Sequence, residues 1–344
     1  MSSFQIVFYC EFGPKYGFGH LMRSIALAQT FFEYDKVKTC CFSTSSADGF
    51  NELFNSVNML YVQLPKNAMG LSFKPDNHFN LSDELITIFD NYNVTREQMI
   101  NYKQNYPNLV AIDDLADRIF NVDIIINQNL GSNQLEYKTL NQPKLFLGTQ
   151  YALLRKNILT SKRKKEKYRI FMSFGGGEVY DRIKGLLEIL STFNKDLKNN
   201  ITIDFVFSGN RNNKEQIGKF FHKSERLQFN FIENQMDLST YMERADFAIT
   251  AAGSTVFELA FLGVPQIVFV IDKNQENTGN MINEVGIGQC LGDIKNLKNV
   301  NFNKILFSFL YDDIMKHNMS KQAQTLIDGK GAKRVVDGIL NYYG

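Results

Sequence analysis

The 344-residue sequence predicts an α/β protein of two Rossmann-like domains facing each other across a cleft. Three observations carry that expectation. Short β-rich runs alternate with helix-period segments twice along the chain, a charge run separates the two series, and glycine-rich turns stand where strands give way to helices in both halves. The length exceeds one ordinary core, which fits a division into residues 1–160 and 161–344.

In the first half the β-rich runs fall at 5–10, 37–43, 59–64, 85–89, 109–112 and 123–126. The first is followed by Gly17-Phe18-Gly19-His20 and a helix whose buried stripe reads Leu21, Ile25, Ala28 and Phe32. The intervals between runs are long enough for crossover helices or loops, so a parallel sheet is expected. The charge run Ser161-Lys162-Arg163-Lys164-Lys165-Glu166-Lys167 reads as a solvated linker. Alternation restarts beyond it, with runs at 168–173, 201–207, 227–232, 247–250 and 266–271, repeating the architecture without repeating the sequence. The last stretch, 303–343, is helical by pattern and broken at Asp328-Gly329-Lys330-Gly331. It is expected to pack on the second domain, with a return to the first as the alternative.

Composition narrows the function classes. Lys and Arg (38) nearly cancel Asp and Glu (36), leaving a net charge of +2 without the overall basic balance of a nucleic-acid binder. Cys10, Cys40, Cys41 and Cys290 lack metal-ligand spacing, and adjacent Cys40 and Cys41 would form only a strained bridge. A reducing cytoplasm is therefore expected, with no metal. No basic segment precedes the first apolar run, which ends at Glu11, so a signal peptide is not expected. The longest apolar stretch, 256–271, contains Glu258 and Pro265 and is too short to span a bilayer. Tryptophan is absent, so stacking on a sugar or base would fall to Tyr and Phe.

Ligands of open α/β sheets bind beyond the carboxyl ends of strands, which selects the motifs that stand there. Gly17 and Gly19 bring bare N–H groups and a helix N-terminus to one point, and His20 is placed to move protons. Taken alone, the same residues make a tight connection with a hydrogen-bonded first-turn histidine. Ser173-Phe174-Gly175-Gly176-Gly177 offers an anion-binding nest suited to a diphosphate, or a flexible turn. In Thr250-Ala251-Ala252-Gly253-Ser254-Thr255, Gly253 and the following N–H groups suit a second phosphate edge. Glu258 could accept both ribose hydroxyls, or close a capping box with Thr255. Asn274 and Gln275 are placed to bond sugar hydroxyls or amides, or simply to cap a helix. Asp90-Asn91-Tyr92 and Asp113-Asp114 close two first-domain strands, where either aspartate could serve as an N-cap.

The order of these motifs resembles a known family. Gly17-x-Gly19-His20-x-x-Arg23, Asp90-Asn91-Tyr92, the segment 112–118 with Asp123 and Asn127-Gln128-Asn129, Tyr151 to Arg155, Gly175-Gly176, the segment 252–258, and Asn274-Gln275 look like the UDP-2,4-diacetamido-2,4,6-trideoxy-β-L-altropyranose hydrolases of pseudaminic acid biosynthesis. That family belongs to the wider two-domain GT-B group. The resemblance covers most of the chain. It implies a second domain that binds UDP, and a histidine base, here His20, that activates water at the sugar anomeric carbon and expels UDP. It places Glu258 at the ribose, and Ser173, Gly175, Gly176, Gly253, Ser254 and Thr255 around the nucleotide. Gly17, Gly19, Arg23, Tyr92, Asn274 and Gln275 fall on the substrate side. No cofactor is implied.

Four departures bear on the sugar. Tyr9 and Glu11 stand where the family has Arg and Asp, Asn91 replaces a His before the pocket tyrosine, and Glu178 stands for an Asp after the paired glycines. Neutral imidazole, with an ordinary pKa near 6.5, suits proton abstraction near neutral pH. The rival reading is a glycosyltransferase with the same donor site and a hydroxyl acceptor; a third is a sensor that binds a nucleotide sugar without turnover. The expected partner is a UDP-sugar, and oligomeric state stays open.

Overall fold

The computed structural model describes residues 3–13, 17–44, 60–63, 84–175, 180–193, 197–206, 214–218, 226–233 and 235–344. The chain divides into two compact units, Met1–Lys156 with Gly329–Gly344, and Asn157–Asp328.

The first unit is built on β1 (Phe4–Cys10), α1 (Gly19–Phe31), β2 (Val37–Thr44), β3 (Leu60–Gln63), β4 (Glu84–Asp90), α2 (Arg96–Lys103), β5 (Leu109–Ile112), β6 (Ile119–Phe120), β7 (Ile124–Asn127), β8 (Lys138–Thr139) and β9 (Lys144–Leu147). Seven of these strands form one parallel sheet in the order β3-β2-β1-β4-β5-β7-β9, while β6 and β8 pair separately. Every residue of β1 is buried, as expected of a central parallel strand covered on both faces. Strand order reverses between β1 and β4, whose register sets Cys10 opposite Asp90. The six expected strands are present; β9 and the short pair β6 and β8 are additional. The helix after β1 buries Leu21, Ile25, Ala28 and Phe31, whereas Phe32, expected on that stripe, is the C-cap and exposed. Ending the helix at Phe31 leaves Phe32 without a core-facing turn.

The second unit, entered along α3 (Lys156–Thr160), contains β10 (Arg169–Ser173), α4 (Tyr180–Thr192), β11 (Ile201–Val206), β12 (Leu227–Ile232), α5 (Ser239–Arg244), β13 (Phe247–Ala251), α6 (Thr255–Phe261), β14 (Gln266–Val270), α7 (Glu276–Val285) and β15 (Gly288–Asp293). Its six parallel strands are ordered β12-β11-β10-β13-β14-β15, the doubly wound order with its reversal between β10 and β13. Two further helices, α8 (Phe302–Tyr311) and α9 (Asp313–Leu326), complete it. Aromatic packing carries its core: Phe247 meets Phe309 at 5.4 Å between centroids and Phe269 meets Phe302 at 6.1 Å, joining α8 to the sheet.

The charge run is more than a solvated connection. Lys164 and Glu166 donate backbone N–H groups to the carbonyls of Glu243 and Arg244, at 2.9 and 2.8 Å. Arg163 Nη1 donates to the carbonyls of Glu243 and Ala245, and burial lowers its guanidinium to about 10. The final helix, α10 (Gly331–Tyr343), follows the expected break but packs with the first unit. The assignment of all of 161–344 to the second unit is therefore corrected at its end. A Cβ at Gly331 would lie 2.2 Å from the Ala152 carbonyl, and one at Gly338 would lie 2.4 Å from the Phe146 ring, so glycine permits that approach.

Candidate functional site

In the first unit, β1, β4, β5 and β7 are successive neighbours, and each leads to a polar group at its carboxyl end. His20 follows β1, Asp90 closes β4, and Asp114 and Asn129 each stand two residues past β5 and β7. Arg23, one turn along α1 from His20, binds them into a chain. His20 Nδ1 lies against Asp90 Oδ1. Arg23 Nε and Nη2 each donate to Asp90 at 2.6 Å. Its Nη1 and Nη2 donate to Asp114 at 2.7 and 3.0 Å. Asn129 Nδ2 donates to Asp114 Oδ1 at 2.7 Å, and the Tyr92 hydroxyl donates to Asp114 Oδ2 at 2.5 Å.

Charge dictates the proton positions in this chain. Burial alone would raise the Asp90 carboxyl, but Arg23 and then His20 outweigh it and hold it well below the usual range. Burial is likewise overcome at Asp114 by Arg23, and its carboxyl is lowered. Both groups are ionised and accept only, so Nδ1 of His20 donates to Asp90 and the neutral ring keeps its lone pair on Nε2. Burial, with Asp114 beside it, pushes the Tyr92 phenol up and keeps its hydroxyl a donor. Tyr92 meets the imidazole edge-on at 4.8 Å between centroids, and the His20 side chain retains 11% exposure.

The loop carrying Tyr92 is held from behind. Arg118 Nη1 donates to the carbonyls of Asn91, Tyr92 and Val94 at 3.1, 2.9 and 3.1 Å. Asn91 is buried and its Oδ1 accepts the Asn93 N–H at 2.7 Å, so this departure from the resembled pattern shapes the loop. Neither aspartate in question caps a helix: Asp90 ends a strand on Arg23, and Asp113 Oδ2 closes a local turn on the N–H groups of Leu115 and Ala116. Gly17 has φ +76° and exchanges backbone hydrogen bonds with Gly13 at 2.7 and 3.0 Å, which closes the loop ahead of Gly19 and His20. Tyr9 and Glu11 are buried at the same strand end.

In the second unit, Ser173 and Thr250 are paired in register at the ends of β10 and β13, the strands between which order reverses. Ser173 is buried, and Gly175 has φ +88° with open space where a Cβ would stand. Gly176 lies outside the described residues, as does Glu178. Gly253 precedes α6, where Ser254 is the N-cap without a side-chain cap bond and Thr255 is the first helical residue. The capping box is thus absent, because the cap residue is Ser254 and its reciprocal position is Phe257. Glu258 stands one turn into α6, 8% exposed. Asn274 and Gln275 lie in the turn after β14. Gln275 Oε1 accepts the Ile271 N–H at 3.1 Å, and its Nε2 is 3.8 Å from where a Gly253 Cβ would stand. Its amide oxygen therefore closes the β14 turn on itself, with the amide nitrogen near Gly253.

Sequence reasoning singled out His20, Arg23 and Tyr92 but missed that Asp90, Asp114 and Asn129 join them, and that Arg118 braces the loop. An acidic or amide residue at the end of successive predicted strands was the available signal. Four N–H donations to carboxylates occupy Arg23, expected on the substrate side. Among the described residues, no group of three or more His, Cys, Asp or Glu is arranged to hold a metal ion, and no helix is long and apolar enough to cross a membrane.

Two doubly wound parallel units with motifs at both points of strand reversal define a fold of the GT-B kind, shared with MurG and with a UDP-N-acetylglucosamine 2-epimerase. Residues 145–326, just over half of the chain, match the glycosyltransferase family 28 C-terminal domain, and the chain belongs to that family. It is 24% identical over 350 aligned positions to an uncharacterised protein of Methanocaldococcus jannaschii, covering 95% of this chain and 64% of that one. It is 22% identical over 231 positions to the spore coat polysaccharide biosynthesis protein SpsG of Bacillus subtilis, covering 64% and 65%. The chain thus spans just under two thirds of these relatives' length. MurG of Acinetobacter baumannii shares the fold, with a TM-score of 0.66 and 14% identity over 98% of this chain and 99% of that one.

Proposed function

We propose that the protein hydrolyses a UDP-linked 2,4-diacetamido-2,4,6-trideoxy sugar to free sugar and UDP, in pseudaminic (nonulosonic) acid biosynthesis. The carrying observation is the His20 imidazole, its Nδ1 fixed on ionised Asp90 and its Nε2 left as the basic nitrogen. Water held by Nε2 loses its proton to the ring as oxygen attacks the anomeric carbon, and the bond to the diphosphate oxygen breaks. Asp90 stabilises the imidazolium that forms. The first unit thus supplies the base and, through Tyr92, the sugar pocket. In the second, Ser173, Gly175 and Gly176, with Gly253, Ser254 and Thr255, take the diphosphate, Glu258 takes the ribose, and Asn274 takes the sugar. The match to SpsG, whose name places it in polysaccharide biosynthesis, supports a role in making glycans.

Membership of a glycosyltransferase family supports a second reading, in which the same base deprotonates an acceptor hydroxyl. Incubating purified protein with candidate nucleotide sugars and no acceptor separates the two. Rapid release of free sugar and UDP is the expected result; release only after an acceptor is added transfers the assignment to the second reading. UDP binding with no release under either condition leaves a sensor.

A further inference from the structure

Asp114 hydrogen-bonds to Arg23, Tyr92 and Asn129, and the first two of these partners themselves meet His20. Its Oδ1 accepts from Arg23 Nη1 and Asn129 Nδ2, and its Oδ2 accepts from Arg23 Nη2 and the Tyr92 hydroxyl. Four donors converge on four lone-pair positions, a demand that only an ionised carboxylate meets. An amide at 114 would turn an NH2 group towards donors. The second half of the Arg23 fork lies on Asp90, so the guanidinium is clamped between two carboxylates 6% and 1% exposed. A planar fork gripped at both ends has one orientation, and it aims Asp90 Oδ1 at His20.

We infer that Asp114 is a positioning residue for the proposed reaction, acting on the His20–Asp90 pair through Arg23 and on the imidazole face through Tyr92. The inference rests on the hydrolase reading for its kinetics only. Remove the acceptor at 114 and Arg23 loses two of its four bonds. The two donations that remain, both to Asp90, then lose the anchor that fixes their direction, so Asp90 Oδ1 is aimed less tightly at His20 and selects the Nδ1–H form less strictly. The order of the strands makes this relay possible: β1, β4, β5 and β7 present His20, Asp90, Asp114 and Asn129 in one row, and α1 lays Arg23 along it.

The test combines a double-mutant cycle with imidazole spectroscopy. Asp114→Asn is expected to lower kcat about 10- to 100-fold, the loss of one or two hydrogen bonds to a charged group, with KM for the nucleotide sugar changed less than about threefold. In an Arg23→Gln background the same substitution is expected to cost no more than about twofold, because the effect passes through Arg23. Full additivity, or a loss confined to KM, would overturn the inference in favour of direct substrate contact. In 15N-histidine-labelled protein, with His20 assigned by His20→Gln, wild type is expected to show the Nδ1–H tautomer and Asp114→Asn a mixture. Unchanged tautomer populations overturn the proposal. Should Asp114→Asn fail to fold, Asn129→Ala removes one donor and keeps the charge. It is expected to lower kcat about 3- to 10-fold at constant KM, and no change counts against the relay. A wild type that releases UDP from no nucleotide sugar defeats the hydrolase reading, while the tautomer measurement still decides the role of Asp114.

Discussion

His20 and Asp90 are 70 residues apart in sequence and directly hydrogen-bonded in space. They meet because β1 and β4 are neighbours at the point where strand order reverses, with Asp90 level with the last residue of β1. A histidine whose Nδ1 is held on a buried carboxylate has a defined tautomer.

Replacing either partner separates chemistry from nucleotide binding. His20→Ala is expected to abolish UDP release, and Asp90→Asn to lower kcat by about 10²- to 10⁴-fold, the usual contribution of a positioned base. Calorimetry should show UDP affinity changed by less than about twofold in both, since the turns proposed to take the nucleotide lie in the second unit. Near-normal turnover by His20→Ala would end the proposed mechanism.

Acid should weaken the fold through Asp90. Its folded-state carboxyl is held below the ordinary value of about 3.9, so the ion pair contributes full stability above that value. The contribution is lost as pH falls from there towards the lower folded value. Denaturant midpoints measured from pH 6 downwards should fall less steeply below about pH 4 for Asp90→Asn than for wild type. Parallel curves would show that Asp90 does not carry the linkage.

Glu258 offers a test of the second unit. With the capping box absent, Glu258→Ala is expected to weaken UDP binding about 10- to 100-fold, the cost of hydrogen bonds to a charged group. The thermal midpoint should fall by no more than about 4 °C. Unchanged affinity would remove the ribose role.

The terminal helix can be probed by glycine pairs. Gly331→Ala sets a Cβ 2.2 Å from a backbone carbonyl of the 150–152 turn and is expected to cost about 1–3 kcal/mol in urea unfolding. Gly185→Ala, in the exposed face of α4 with nothing within 4 Å, should instead stabilise by about 0.4–1 kcal/mol. Equal effects would contradict the close approach of α10.

Much of the architecture was legible because it depends on local pattern. The buried runs at 5–10, 109–112 and 266–271 carry the apolar continuity of central parallel strands, and the helix after Gly19 carries its own period. Short or mixed runs were less legible. β9 reads Lys-Leu-Phe-Leu with Leu145 exposed, and its pairing comes from β7. The break between α8 and α9 at Asp312, which caps α9, lay hidden inside an unbroken helical period.

Residue type and position were enough to select His20 and the glycine turns as candidates, because a strand-to-helix turn and a titratable side chain are local properties. Which groups face His20 depends on the order in which strands lie side by side, and that order follows from non-local pairing. Adjacency of β1, β4, β5 and β7 brings Asp90 and Asp114 to opposite sides of Arg23, a residue the sequence suggested for substrate. The α10 assignment has the same origin: its apolar face suits any core, and close approach at Gly331 and Gly338 directs it to the first unit.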